Sequence, residues 1–294
     1  MKVRIYSSHC SRADYILFQY TSIQNHVKDE VEYIVINDGQ NEATISNFMN
    51  LRCRDDIEEI CNELKIKCIP LDPKLHTMRN TLYPKKVNPI AENYSQRAAD
   101  ACQFILRDSL SFEGIVCILD SDNFFYKDIS LNEAMKGYTL SYIPSVRQGI
   151  HYMWNNLVIY KPHELPNLHE LNFDLGNLPE NPLDTGGMTH EYLLKYKSSL
   201  QIRIIQITNV CLDQEQTLKD KSSYLIPSQC RVLEDSLGED IPLDYSIEWQ
   251  TFDTGILHYG QGGNWNKKGY FDHCTKTKTL LRFLASSLLP KKQN

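Results

Sequence analysis

The sequence predicts an α/β protein with a mostly parallel central sheet and helices on both faces. Three observations predict it. Short apolar runs at residues 3–6, 33–36 and 67–71 alternate with longer segments whose apolar residues recur at helical spacing. A fourth run, Ile115 to Leu119 within GIVCILDSDNFFY, is continuously apolar after Gly114, as in a strand buried on both faces. Asp120-Ser121-Asp122 follows it at once, putting two carboxylates where a strand leaves its sheet. Ligands of open α/β sheets bind outside the carboxyl ends of the strands, so a site is expected there.

The remaining elements follow in order. Residues 3–6 read as the first strand and 7–11 as a small polar loop. Residues 14–26 carry Tyr15, Leu17, Phe18 and Ile23 at roughly helical spacing. The second strand, 33–36, ends in Asn37-Asp38-Gly39. Residues 46–64 read as mostly helical, with Arg52, Arg54, Asp55, Asp56, Glu58 and Glu59 forming a solvated face. The stretch 72–89 contains three prolines and no clear period, and its length points to a functional loop. Residues 92–110 form a strong helix candidate whose apolar side carries Ala98, Ala99, Ala101, Cys102, Ile105 and Leu106. Beyond Tyr126, strands are expected at 140–143 and 157–160, with Tyr152 to Asn156 between them. Residues 161–182 are loop-rich, 184–192 open a short helix running to about 197, and 202–207 form another strand. A last strand at 255–259 precedes a glycine-rich run, and 271–289 read as an amphipathic basic helix. There is no internal repeat or low-complexity segment.

Composition narrows the classes. The 294 residues suffice for one large α/β domain, and a single domain over 1–294 is expected. With 41% apolar and 23% charged residues the chain has the composition of a soluble globular protein. A formal net charge of −6 argues against an extended nucleic-acid surface but allows a local basic pocket for a diphosphate. The nine cysteines are scattered, with no Cys-x-x-Cys pair, which suits a reducing compartment better than a zinc site or a disulfide framework. The N-terminus lacks the apolar core of a signal peptide, and no stretch reaches the length of a membrane span. These points together lead to the expectation of a soluble, cytoplasmic protein.

Asp120 and Asp122 suit a hard divalent cation, which takes oxygen ligands; the alternative is a plain turn, for which Asp-Ser-Asp-Asn is equally good chemistry. A nucleotide-type α/β half, a strand-end Asp-x-Asp and a second half rich in Trp, Tyr, Asn and Asp together resemble the GT-A-fold glycosyltransferases, which use nucleotide-diphospho-sugar donors. The resemblance covers most of the chain in element order and is sharpest at residues 33–39, 93–97, 119–122, 184–191 and 258–265. It looks closest to the small viral or bacterial members, which would make the location the host cytoplasm if the source is viral.

The resemblance implies a nucleotide-sugar-binding half over 1–126 and an acceptor half over 127–294. Tyr6 and Ser7 would border the nucleotide, and Asp38 would accept from a base N–H, or else simply serve the Asn-Asp-Gly turn. Asn93, Ser95 and Arg97 would lie at the donor, with Arg97 orienting the carboxylates or touching the donor. Asp120, Ser121 and Asp122 would sit at the diphosphate, and Asp120, Asp122 and His258 would hold the cation. Such a mixed oxygen and imidazole shell favours Mn²⁺ over Mg²⁺. Trp154, Asn155, Thr185, Gly186 and Trp265 would contact the acceptor, although either Trp could equally be core packing. Asp184 would be the base of an inverting transfer, with Glu191 in reserve, or would bind the donor sugar in a retaining one. Retaining glycogenin-like enzymes follow the late His with Lys-Pro-Trp, and here the run is Asn264-Trp265-Asn266, which leans towards inversion. The implied partners are a nucleotide-diphospho-sugar, UDP-linked by preference, and a glycan acceptor.

Three rivals compete. A haloacid-dehalogenase-type phosphatase would use Asp120 as a covalent nucleophile, but three strand signals precede the motif and Asn123 follows it. A sugar nucleotidyltransferase needs a glycine-rich first loop, which Tyr6-Ser7-Ser8-His9 lacks. A non-catalytic carbohydrate-binding protein is opposed by the presence together of Asp120, Asp122, Asp184 and His258.

Overall fold

Strand and helix alternate as the apolar runs require. The structure, a computed structural model, describes residues 1–39, 41, 52–79, 94–147, 149–176, 183–211 and 249–259. The chain begins β1 (Val3–His9), α1 (Ala13–His26), β2 (Val31–Asn37), α2 (Cys53–Glu63), β3 (Lys67–Pro70), α3 (Lys74–Arg79), α4 (Tyr94–Ser109) and β4 (Ile115–Asp120). It continues with β5 (Asn123–Phe125), α5 (Leu131–Ala134), β6 (Leu140–Arg147) and β7 (Ile150–Tyr160). Two 3-10 turns, α6 (Thr189–Tyr196), β8 (Ile202–Ile204), β9 (Ile207–Cys211), β10 (Trp249–Phe252) and β11 (Ile256–Tyr259) complete the described elements.

The chain divides into two compact units. The first comprises Met1–Ile16, Lys28–Ser121 and Ser130–Ile205. It contains a seven-stranded sheet in the order β3-β2-β1-β4-β7-β6-β8. β1 is parallel to β2 and β4, and β2 to β3; β7 is antiparallel to both β4 and β6, and β8 is parallel to β6. Only β7 therefore runs against the rest, and the sheet is mostly parallel, as expected. Ile115 to Leu119 of β4 are buried, because strands of such a sheet have covered faces. Ala101, Cys102, Ile105 and Leu106 of α4 pack in one core with Tyr6, Val116, Ile118, Val158 and Tyr160. Each Val, Ile or Leu side chain among them contributes roughly 1.5–3 kcal/mol by leaving water.

The second unit comprises Leu17–Val27, Asp122–Ile129 and the chain from Gln206. Its antiparallel sheet has the order β5-β11-β10-β9. The latter part of α1 anchors β5: Gln19 Nε2 donates to the Asn123 carbonyl at 2.8 Å, and Ser22 Oγ accepts from Phe125 N at 3.2 Å.

Several expected boundaries move. Residues 7–9 belong to β1 rather than a loop, since pairing with β2 continues to His9↔Asn37. Ser7 and His9 are buried there, Ser7 Oγ lying 3.1 Å from His9 Nε2, so the polar letters face inward and satisfy one another. The long connection after β3 begins with a helix, α3; residues 80–89 lie outside the described residues. Tyr152 to Asn156 do not separate two strands but lie within β7, where the β6 pairing carries a register shift after Tyr142. The single strand expected at 202–207 is split between β8 and β9, which join different sheets. β5 and β10 were not expected. Residues 46–51, the glycine-rich run and the basic helix at 271–289 lie outside the described residues. Among the described residues no helix is long and apolar enough to cross a membrane.

Candidate active site

The carboxyl ends of the parallel strands collect the charges. In the first unit Asp38, just past β2, is buried, and its backbone N–H donates to the His9 carbonyl at 2.8 Å. Arg97, in the first turns of α4, donates from Nε to Asp38 Oδ2 at 2.8 Å and from Nη2 to the Asp38 carbonyl. His76 of α3 brings Nε2 to 2.7 Å from Asp38 Oδ1 and Nδ1 to 2.8 Å from Asp100 Oδ2. Burial works against a charged His76 ring, and the hydrogen bonds to Asp100 and Asp38 outweigh it, so its pKa is pushed up to about 9. Cys10, following β1, lies within electrostatic reach of Arg97, Asp38 and Asp120. Asp120 ends β4, half-buried, with its Oδ1 accepting from Ser121 N at 2.7 Å.

The same unit brings one of the expected acceptor residues, Thr185, next to α4. Thr185 is buried and donates from Oγ1 to the Ser95 carbonyl at 2.7 Å. Asp184 Oδ1 accepts from Thr185 N at 2.8 Å, and Asp184 Oδ2 meets Arg147 Nη2 at 3.1 Å. Asp184 therefore shapes the turn before α6 rather than capping the helix, which starts at Thr189 behind Met188. Gly186 has φ +88, and a Cβ there would come within 2.1 Å of the Met153 carbonyl. The close approach that glycine permits at this point is to β7 of the protein itself. Trp154 and Asn155 are half-buried on β7, while Glu191 is exposed in the first turn of α6.

Tyr6 and Ser7 face the interior. Tyr6 is fully buried, its hydroxyl donating to Asp108 Oδ2 at 2.5 Å, and burial pushes its pKa upward. Ser7 contacts His9 and hydrogen-bonds the Tyr33 hydroxyl. The structure thus places these two in the packing beneath the strand ends.

In the second unit Asp122 and His258 come together. Asp122 immediately precedes β5, and β5 pairs with β11 in the register Asn123↔His258. Tyr259 N donates to the Asp122 carbonyl at 2.9 Å, fixing that turn. His258 Nε2 lies 3.4 Å from Asp122 Oδ1, which is buried and has no hydrogen-bond partner among the described residues. A buried carboxylate oxygen in that condition is costly in protein alone, and with an imidazole nitrogen beside it the pair fits a divalent cation. Asp120, the other expected ligand, ends β4 in the first unit. Among the described residues no three of His, Cys, Asp or Glu are grouped as a ready-made metal cluster. Asn93 and Trp265 lie outside the described residues.

Sequence reasoning passed over His76, Asp100 and Arg147. The first fell in a stretch read as a loop, and Asp100 sits among the apolar letters of α4. The signal for Asp100 was available: a buried-side carboxylate four residues after Gln96 calls for a partner, and Gln96 Nε2 does reach Asp100 Oδ1 at 3.3 Å.

No protein-family model matches the chain, and no curated protein matches it in sequence. Among solved structures it is similar to a galactosyltransferase, LgtC, in complex with donor and acceptor sugar analogs. That likeness has a TM-score of 0.42 and 13% identity, covering 100% of this chain and 98% of that one. It is also similar to glucosyl-3-phosphoglycerate synthase from Mycobacterium tuberculosis in complex with phosphoglyceric acid, at TM-score 0.37 and 14% identity, over 69% of this chain and 68% of that one. A third likeness, to S. aureus TarS, has a TM-score of 0.35 and 16% identity, over 59% of this chain and 30% of that one.

Proposed function

We propose that this protein is a divalent-metal-dependent glycosyltransferase moving a sugar from a nucleotide-diphospho-sugar, UDP-linked by preference, to a hydroxyl of a glycan acceptor. The observation that supports it most is the buried Asp122 Oδ1, without a hydrogen bond among the described residues and 3.4 Å from His258 Nε2, at the end of an Asp-x-Asp motif. Asp122 and His258 would hold the cation, Mn²⁺ in preference to Mg²⁺. When bound, the cation supplies positive charge to the leaving diphosphate.

The chain's own residues carry the remaining roles. Arg97, locked on Asp38, presents positive charge at the strand ends on the donor side. Ser95 and Thr185 join the start of α4 to the Asp184 turn through their 2.7 Å hydrogen bond. Asp184 takes the acceptor hydroxyl proton onto a carboxylate oxygen in an inverting transfer, and Arg147 sets the direction in which that carboxylate faces. Trp154 and Asn155 on β7 offer an apolar face and an amide to a sugar.

The test is a panel of nucleotide sugars incubated with Mn²⁺, with Mg²⁺ and with chelator, reading nucleoside diphosphate released. Slow Mn²⁺-dependent release from one donor, lost in Asp122→Ala, is the expected result and identifies the donor. Silence on every donor, accompanied by phosphate release from a simple phosphomonoester, would overturn the reading in favour of a phosphatase.

A further inference from the structure

The carboxylate that follows β2 is more fully engaged than a group waiting to read a ligand. Its Oδ1 lies 2.7 Å from His76 Nε2 and its Oδ2 accepts from Arg97 Nε at 2.8 Å. The other ring nitrogen of His76 faces Asp100 Oδ2 at 2.8 Å. A neutral imidazole has one N–H and one lone pair, so it cannot donate to two carboxylates at once. With both nitrogens protonated the ring satisfies both neighbours. The side chains are 3% exposed for His76, 6% for Asp38, 0% for Asp100 and 4% for Arg97. In so dry a place the two cations and two anions must balance, because an unpaired buried charge is strongly disfavoured.

We propose that His76, clamped as an imidazolium between Asp38 and Asp100, is a positioning residue of the donor site that acts through Asp38 on Arg97. This rests on the glycosyltransferase reading of the same strand ends. Arg97 is held at two points of one residue, the Asp38 carboxylate and the Asp38 carbonyl, so its guanidinium plane is set by where Asp38 stands. Asp38 stands where His76 holds it, and His76 is tied back to α4 by Asp100. Charge thereby fastens α3 and α4 to the end of β2, beside the apolar core that Ile36, Leu75, Ala101 and Ile105 share. The role of Asp38 changes accordingly, from reading a base to anchoring an arginine.

The clamp also predicts a pH response. The charged groups facing His76 are Asp38 from the end of β2 and Arg97 and Asp100 from α4, while Cys10 from the end of β1 faces Arg97 and Asp38 in turn. When the ring loses its proton, one of the two carboxylates meets a lone pair, and Asp38 is no longer held.

The experiment measures calorimetric binding of UDP, GDP and ADP, each with Mn²⁺, to the full chain and to His76→Gln and His76→Lys. For the best-bound nucleotide, His76→Gln is expected to bind at least about tenfold more weakly at pH 7, and His76→Lys to recover part of that loss. Because uracil and guanine titrate near the same pH, the alkaline response is read as a difference. The ratio of wild-type to His76→Gln affinity falls towards one as pH rises through about 9. A merely structural His76 would lower the melting temperature of His76→Gln and leave affinity and this ratio unchanged, which would overturn the proposal. Nitrogen NMR of the His76 ring decides the clamp separately: two protonated nitrogens at pH 7 support it, and one unprotonated nitrogen overturns it. If the wild-type chain binds none of the three nucleotides, the donor reading fails and the positioning role falls with it, while the ring signals still report on the clamp.

Discussion

Two polar clusters in this protein are both buried and both built on aspartate and histidine, yet they are opposite in kind. In the first unit, Asp38, His76, Arg97 and Asp100 saturate one another, each carboxylate meeting a donor at 2.7 or 2.8 Å. In the second, Asp122 Oδ1 is buried with no hydrogen bond among the described residues, and the His258 nitrogen stands off at 3.4 Å. A saturated cluster spends its electrostatics on holding its own members, Arg97 among them, in one arrangement. In the proposed function, the incomplete one is where the cation would be held. The difference teaches that burial of charge alone does not mark a binding site; the informative feature is the missing partner.

The comparison can be broken at either end. The largest effect is expected from Asp38→Ala, which leaves Arg97 and His76 buried without their shared carboxylate and costs about 3–5 kcal/mol of stability, read by urea unfolding. Full stability in that variant would mean the cluster does not hold the fold. Asp122→Asn is the counterpart. In chelator it costs less stability than Asp38→Ala, since the one contact of Oδ1 among the described residues is the longer 3.4 Å approach of His258 Nε2. Mn²⁺-dependent donor turnover, however, falls at least about a hundredfold, equivalent to about 2.7 kcal/mol in the transition state. A large stability loss with turnover retained would reverse the two assignments.

Next in size is the pH dependence of stability. His76 has a folded pKa raised from 6.5 to about 9, burial being outweighed by the bonds to Asp100 and Asp38. Its contribution is therefore fully present below about pH 6.5 and is lost as pH rises through about 9. The loss is on the order of 2–3 kcal/mol and should be absent from His76→Gln unfolding measured over the same range. The smallest effect sharpens the comparison from outside both clusters. Arg147 and Asp184 pair at 3.1 Å with side chains 51% and 32% exposed, so Arg147→Ala should change stability by less than about 1 kcal/mol. If Arg147 directs Asp184 towards an acceptor, that variant shows its effect in turnover instead.

Much of the architecture was legible in the letters. Ile115 to Leu119 could be read as a doubly buried strand because five apolar residues in succession have few other stable fates. The helix at α4 showed the spacing of its own buried face. What misled was local polarity: Ser7, Ser8 and His9 suggested a loop, although neighbours on both sides kept β1 in the sheet. Pairing is a property of two segments, and no window along one of them contains it. The same holds for Tyr152 to Asn156, polar in part and yet the middle of β7.

The sequence by itself determined the α/β class, the mostly parallel sheet and the position of Asp120-Ser121-Asp122 at a strand end, because periodicity and apolar runs are local properties of the chain. Tertiary structure alone decided which charges meet. Asp38 and His76 are 38 residues apart, and Arg97 lies 59 from Asp38. Asp122 meets His258 only because β5 pairs with β11 in one register. Whether a carboxylate is an anchor or a ligand depends on what stands within about 3 Å of its oxygens, and that distance is set by packing between segments remote in the chain.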